Sequence, residues 1–129
     1  MPRFPPIMSL HLRYRLWIAE MNSDIDIIRI FGDYLEELKC KRHEAEVKNK
    51  IDYFRQQFTS FRKDIDELRD EMHILKMKLA AYSKELKHVN YKTYQTDNHT
   101  RLKDRYIALR KNFARVKKEF AQFEGEWLY

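Results

Sequence analysis

The stretch VKNKIDYFRQQFTSFRKDIDELRDEMHILKMKLAAYSKELKHV, residues 47–89, decides the fold. Val47, Ile51, Phe54, Phe58, Phe61, Ile65, Leu68, Met72, Leu75, Leu79, Tyr82, Leu86 and Val89 follow one another at spacings of four and three. No member of this series is charged. A repeat averaging about 3.5 residues keeps one stripe on one side of an α-helix and makes a supercoiling seam. A strand would need strict alternation of apolar and polar residues, and there is none.

Working outward, the same spacing joins Leu10, Tyr14, Trp17, Met21, Asp24, Ile28, Phe31, Leu35 and Leu38 before this stretch. It joins Leu102, Tyr106, Leu109, Phe113, Val116, Phe120, Phe123 and Trp127 after it. The phase slips between Leu38 and Val47, so a short connection is expected near residues 40–44. It slips again through NYKTYQTDN, residues 90–98, where Thr96, Asp97 or Asn98 can cap a following helix. The expected helices are about 9–40, 44–90 and 98–128, behind a Pro-broken lead-in at residues 1–8. The fold class is therefore all-α: an elongated antiparallel three-helix coiled-coil-like bundle with a long central helix.

Composition excludes the main competitors. The chain of 129 residues has 2 glycines and 3 prolines, and all three prolines fall within the first six positions. Nucleotide-binding α/β folds and β-sandwiches depend on glycine at turns and phosphate loops. Aromatic residues at 14% are too many for a disordered chain. One cysteine, Cys40, permits no internal disulfide framework and no cysteine-based zinc site. No stretch approaches 18 consecutive apolar residues, so neither a membrane span nor a cleaved signal peptide is expected. The cytoplasm is the expected compartment.

Several pieces carry a resemblance: Trp17 with Glu20 and Met21, Phe31 with Leu35 to Glu37, FRQQF at 54–58, Ile65 to Leu68, and the closing Phe113, Phe120 and Trp127. Together they are similar to an uncharacterised family of small helical proteins of Bacteroidetes-type bacteria. The resemblance implies a cytoplasmic, all-helical protein and brings no activity or catalytic residue with it.

Catalytic and metal-binding readings find little in the sequence. Glu85 and His88 have the Glu-x-x-His spacing of di-iron bundles, and Asp70 and His73 repeat it. In each pair the seam runs between the two residues, at Leu86 or Met72, which leaves them on solvated flanks. Cys40 has cationic neighbours, but a helix C-terminus beside it opposes thiolate formation. No serine sits on a glycine-framed elbow. No enzyme and no cofactor are expected.

Asp24 is the chemically odd residue, a carboxylate in a seam slot. A lone buried carboxylate is costly, so Asp24 is expected to be partnered or displaced to an edge. A polar seam residue can also set register or oligomer state. A ligand site is the remaining reading.

Charge is unevenly placed. Residues 19–71 hold 10 basic and 14 acidic groups, whereas residues 72–118 hold 13 basic and 3 acidic groups. Lys87, Tyr91, Lys92, Tyr94, Arg101 and Arg105 bring cations and aromatic rings together near the second connection. That combination suits phosphate contact and base stacking. The same block could meet an anionic lipid surface or an acidic protein, or be a solvated basic face that complements the acidic first helix of another copy.

The expected function is a structural or adaptor module that self-associates and binds proteins through helices. A nucleic-acid-associated protein is the alternative. Placing both connections symmetrically puts Trp17, Leu68 and Phe120 in one layer, Phe31 near Phe54, Phe113 near Leu75, and Trp127 near Phe58 or Phe61. That stagger leaves both ends of the middle helix with a single neighbour. A homodimer with the middle helix at its centre is then expected to cover them.

Overall fold

The computed structural model describes residues 6–85 and 99–128, with side chains described for 9–81 and 99–126. Three helices account for it: α1 (Pro6–Lys41), α2 (Ala45–Glu85) and α3 (Thr100–Leu128). The all-α three-helix architecture is the one the heptad runs predict. Helix α1 starts at Pro6, inside the expected lead-in. Proline suits a first turn because its missing N–H would find no helical partner there.

The first connection is three residues long, 42–44, and needs no glycine. The Arg42 N–H still donates to Leu38 O at 2.9 Å, and the Lys48 N–H donates to Glu44 O at 3.0 Å. An Arg42–Glu44 ion pair at 2.7 Å bridges the gap. Lys39 and Lys41 lie in the last turn of α1, where cations oppose the negative end of the helix dipole.

The seam residues form one core running through all three helices, from Leu10 and Leu79 to Leu38 and Val47. Helices α1 and α2 are antiparallel. Arg69 Nη1 donates to Asn22 Oδ1 at 2.9 Å, Arg55 meets Glu36 at 3.0 Å, and the rings of Phe31 and Phe58 are 5.2 Å apart. This register is within one turn of the expected one, because the connection that sets it is short.

Helix α3 departs from expectation. Phe113 packs on Phe61 at 5.3 Å, not on Leu75. Phe120 packs on Phe54 and Phe58 at 5.2 and 5.8 Å, not beside Leu68. Trp17 stacks on Tyr106 at 4.9 Å, not in a layer with Phe120. Each displacement is two heptads. A seam moved by whole heptads still buries the same face, so periodicity does not choose between these registers. The expected contact of Trp127 lies outside the described side chains.

The slip removes the stagger. Helix α3 lies alongside the length of α1, parallel to it, with Trp17 on Tyr106 near one end and Phe31 on Phe120 near the other, at 4.6 Å. Val47, Ile51, Phe54, Phe58 and Leu79 are all buried within one chain. The single-neighbour ends expected for α2 are therefore covered within one chain from Val47 to Phe58 and at Leu79. Tyr82, Leu86 and Val89 lie outside the described side chains.

Packing energetics separate two substitutions. Phe54→Ala empties a site in the phenylalanine cluster and is expected to cost about 3–5 kcal/mol. Gly32 has ordinary helical backbone, and nothing lies within 4 Å of where a Cβ would stand. Gly32→Ala is therefore expected to stabilise the protein by about 0.5–1 kcal/mol. Urea unfolding midpoints, moving in opposite directions, check both.

Candidate functional site

Asp24 is 4% exposed and faces α3. Its partner is Arg110, whose guanidinium donates to Asp24 Oδ2 through Nη2 and to Glu20 Oε1 through Nη1. Glu20 and Asp24 are four residues apart, so helical geometry presents both carboxylates to one cation. The guanidinium carbon lies 5.6 Å from the Tyr106 ring centroid and 6.0 Å from that of Phe113. Carboxylates take the edge of the guanidinium while ring faces approach the cation. That arrangement suits a planar, weakly hydrated ion.

The two carboxylates respond differently. The hydrogen bond from Arg110 holds the Glu20 carboxyl below its ordinary value. Burial pushes the Asp24 carboxyl up, because one shared cation does not fully offset its desolvation. The Tyr106 hydroxyl is buried toward Glu20 without a well-formed hydrogen bond. Burial holds that phenol protonated, above the usual 10.0.

A stack of rings continues from Tyr106 toward the start of α3. The Trp17 indole lies between Tyr106, at 4.9 Å and 21°, and the imidazole of His99, at 6.0 Å and 3°. Tyr14 Oη is 3.0 Å from His99 Nδ1 in a buried contact. Burial, and then the cations of Arg13 and Lys103, lower the His99 pKa below 6.5. The imidazole is therefore neutral at pH 7.

A second clamp ties α3 to α2. Arg101 Nη1 donates to Glu71 Oε1 at 3.1 Å, and Arg105 donates to Glu71 Oε2. Burial would raise the Glu71 carboxyl, but the bonds from Arg105 and Arg101 outweigh it and hold it below 4.5.

The residues singled out in the sequence divide accordingly. Phe54, Phe58, Phe61, Leu68, Phe113 and Phe120 are core, while Trp17 and Phe31 are partly buried against it. Asp24 is buried and partnered. Arg101 and Arg105 both point at Glu71. Lys87, Tyr91, Lys92 and Tyr94 lie outside the described residues, as do the side chains of Glu85, His88 and Trp127. Asp70 and His73 are exposed, and so is Cys40. Among the described residues no group of three or more metal-ligating side chains gathers, and no helix is long and apolar enough to cross a membrane.

Sequence reasoning missed Arg110, Glu20, Glu71, Tyr14 and His99. The i, i+4 spacing of Glu20 and Asp24 was a usable signal for a shared cation. Nothing in the sequence named Arg110 among the many basic residues of the third helix. Comparison with protein-family models, curated proteins and solved structures finds no match to the chain.

Two measurements follow from the charges. Arg110→Met strands a buried carboxylate and is expected to cost about 3–5 kcal/mol, whereas adding Asp24→Leu recovers most of the loss. Urea denaturation of the single and double variants checks it.

His99 titrates below its unfolded value, so folding favours its neutral form. Its contribution is present above pH 6.5 and is lost as pH falls through the lowered folded pKa. The unfolding midpoint is expected to drop on acidification below 6.5, and the drop is expected to be smaller in His99→Gln.

Proposed function

We propose that this protein is a non-enzymatic structural or adaptor module of the cytoplasm, acting through helix-mediated self-association and protein binding. The observation that carries the reading is the apolar surface left on a bundle whose core is already complete. Leu12, Leu16, Ile30, Ile74, Met77 and Ile107 are 42–68% exposed. Exposed apolar side chains that share a helix face, rather than lying scattered, characterise association surfaces. The polar groups between helices are spent on holding those helices together, as the Arg110 and Glu71 clamps illustrate. The resemblance to an uncharacterised helical family supports the same class and adds no activity.

The nucleic-acid alternative has less behind it. Two of its six residues, Arg101 and Arg105, share one carboxylate partner, which reduces what they offer to phosphate. An electrophoretic shift assay at low salt addresses it directly.

Sedimentation velocity over the micromolar range tests self-association. The expected species is a dimer of about 32 kDa, twice the 16.0 kDa chain. Its mass is expected to change little between low and high salt, because apolar contact is screened far less than charge. A 16.0 kDa species throughout would overturn self-association.

A further inference from the structure

The exposed apolar residues of α1 form a second stripe. Leu12, Leu16, Ala19, Ser23, Ile27 and Ile30 follow at spacings of four, three, four, four and three, on a different side of the helix from the core seam. Leu12 is 52% exposed, Leu16 61% and Ile30 61%, while Ala19 and Ser23 are exposed and Ile27 is partly covered. The stripe borders α3. Leu16 is one turn before Glu20, which holds Arg110, and Ile30 is one turn before Tyr34, whose ring is 6.0 Å from Phe120. Across the groove, α3 contributes Ile107, 42% exposed and three residues before Arg110, with exposed Ala114 beyond it. Helix α2 takes no part in this face.

The stripe reads nearly the same in both directions. About a point near residue 21, Leu12 mirrors Ile30, Leu16 mirrors Ile27, and Ala19 mirrors Ser23. The small residues fall at the centre, where two crossing helices approach most closely. Charge follows the same symmetry. Arg15 mirrors Asp26 on the outer flank of the stripe. Arg15 forms no ion pair among the described residues, and Asp26 forms an exposed one with Arg29 at 3.2 Å. Helix α3 runs parallel to α1, and the contacts of Trp17 with Tyr106 and of Phe31 with Phe120 put the same height near Arg110 on α3.

We propose that a second copy of this chain covers the α1–α3 face, antiparallel, about a two-fold axis passing near residue 21 of α1 and Arg110 of α3. The proposal rests on the self-association reading above and names its surface. An antiparallel two-fold brings Arg15 to Asp26 of the other copy, and by symmetry makes that opposite-charge pair twice. Closed two-fold symmetry requires a self-complementary patch, and the α1 stripe meets that condition in its apolar pattern and in its Arg15–Asp26 pair. From Leu12 to Ile30 the stripe runs about 27 Å, and it is roughly two helix widths across, about 20 Å. That is of the order of, though somewhat below, the ~800 Å² per partner of a standard interface.

Two arms test the proposal on the full chain. In a Cys40→Ser background, Ala19→Cys with Ser23→Cys is expected to give an oxidised dimer linked between copies. Met77→Cys on α2 in the same background is expected to give none. By sedimentation, Leu16→Glu and Ile30→Glu are each expected to weaken dimerisation at least tenfold. Both positions are exposed in the single chain, so circular dichroism and the urea midpoint should stay close to wild type. Arg15→Glu is expected to weaken the dimer several-fold, and adding Asp26→Arg to restore it. A dimer that crosslinks through Met77→Cys and ignores Leu16→Glu would overturn this face while leaving self-association standing. A wild-type chain that is monomeric throughout would overturn both.

Discussion

The contact on which the arrangement of α3 depends is the guanidinium of Arg110, held by Asp24 and Glu20 from α1. A carboxylate removed from water in a helical seam has few ways to be tolerated. It can be protonated, pulled to the edge or paired, and here it is paired with a cation that is itself wrapped by Tyr106 and Phe113. Any other heptad register of α3 would separate the two charges by at least one full repeat, about 10 Å, and leave Asp24 without its partner. The net worth of such a pair to stability is small. The penalty for mispairing is large, and that asymmetry makes it a device for register.

The two ends of the bundle achieve the same docking by different chemistry. Toward one end α3 is held by Arg101 and Arg105 on Glu71, and by His99 in the stack with Trp17 and beside Tyr14. Toward the other, Phe54, Phe58, Phe120 and Phe123 interlock with Phe31 in edge-to-face and tilted pairs. The phenylalanine end supplies buried area and tolerates some sliding. The charged and hydrogen-bonded end supplies direction, since each group has one correct partner. The two together give a long bundle a single alignment that neither would impose alone.

This division also bears on what the outer surface can do. Part of the positive charge of residues 72–118 is turned inward or spent along helix flanks, so the block is less of an anion-binding surface than its net charge suggests. The apolar residues that remain outside are not needed to complete the core. Along α1 they recur with helical spacing and with small residues at their centre, as a seam awaiting another helix would.

Among the described residues, the three helices, the buried face of each and the position of the first connection were legible in the sequence. Each depends on local periodicity or on a loop too short to permit alternatives. Asp24 was legible as an anomaly, because one carboxylate interrupts an otherwise apolar series. Its partner was not, and neither was the alignment of α3. A heptad repeat is unchanged by a shift of seven or fourteen residues, so periodicity names the face that is buried and leaves its register open. Only the folded chain decides that, by bringing Arg110 to Asp24, Arg105 to Glu71 and Tyr106 to Trp17. Those contacts join residues far apart in sequence, and each charged or buried polar group among them is costly to leave unpaired.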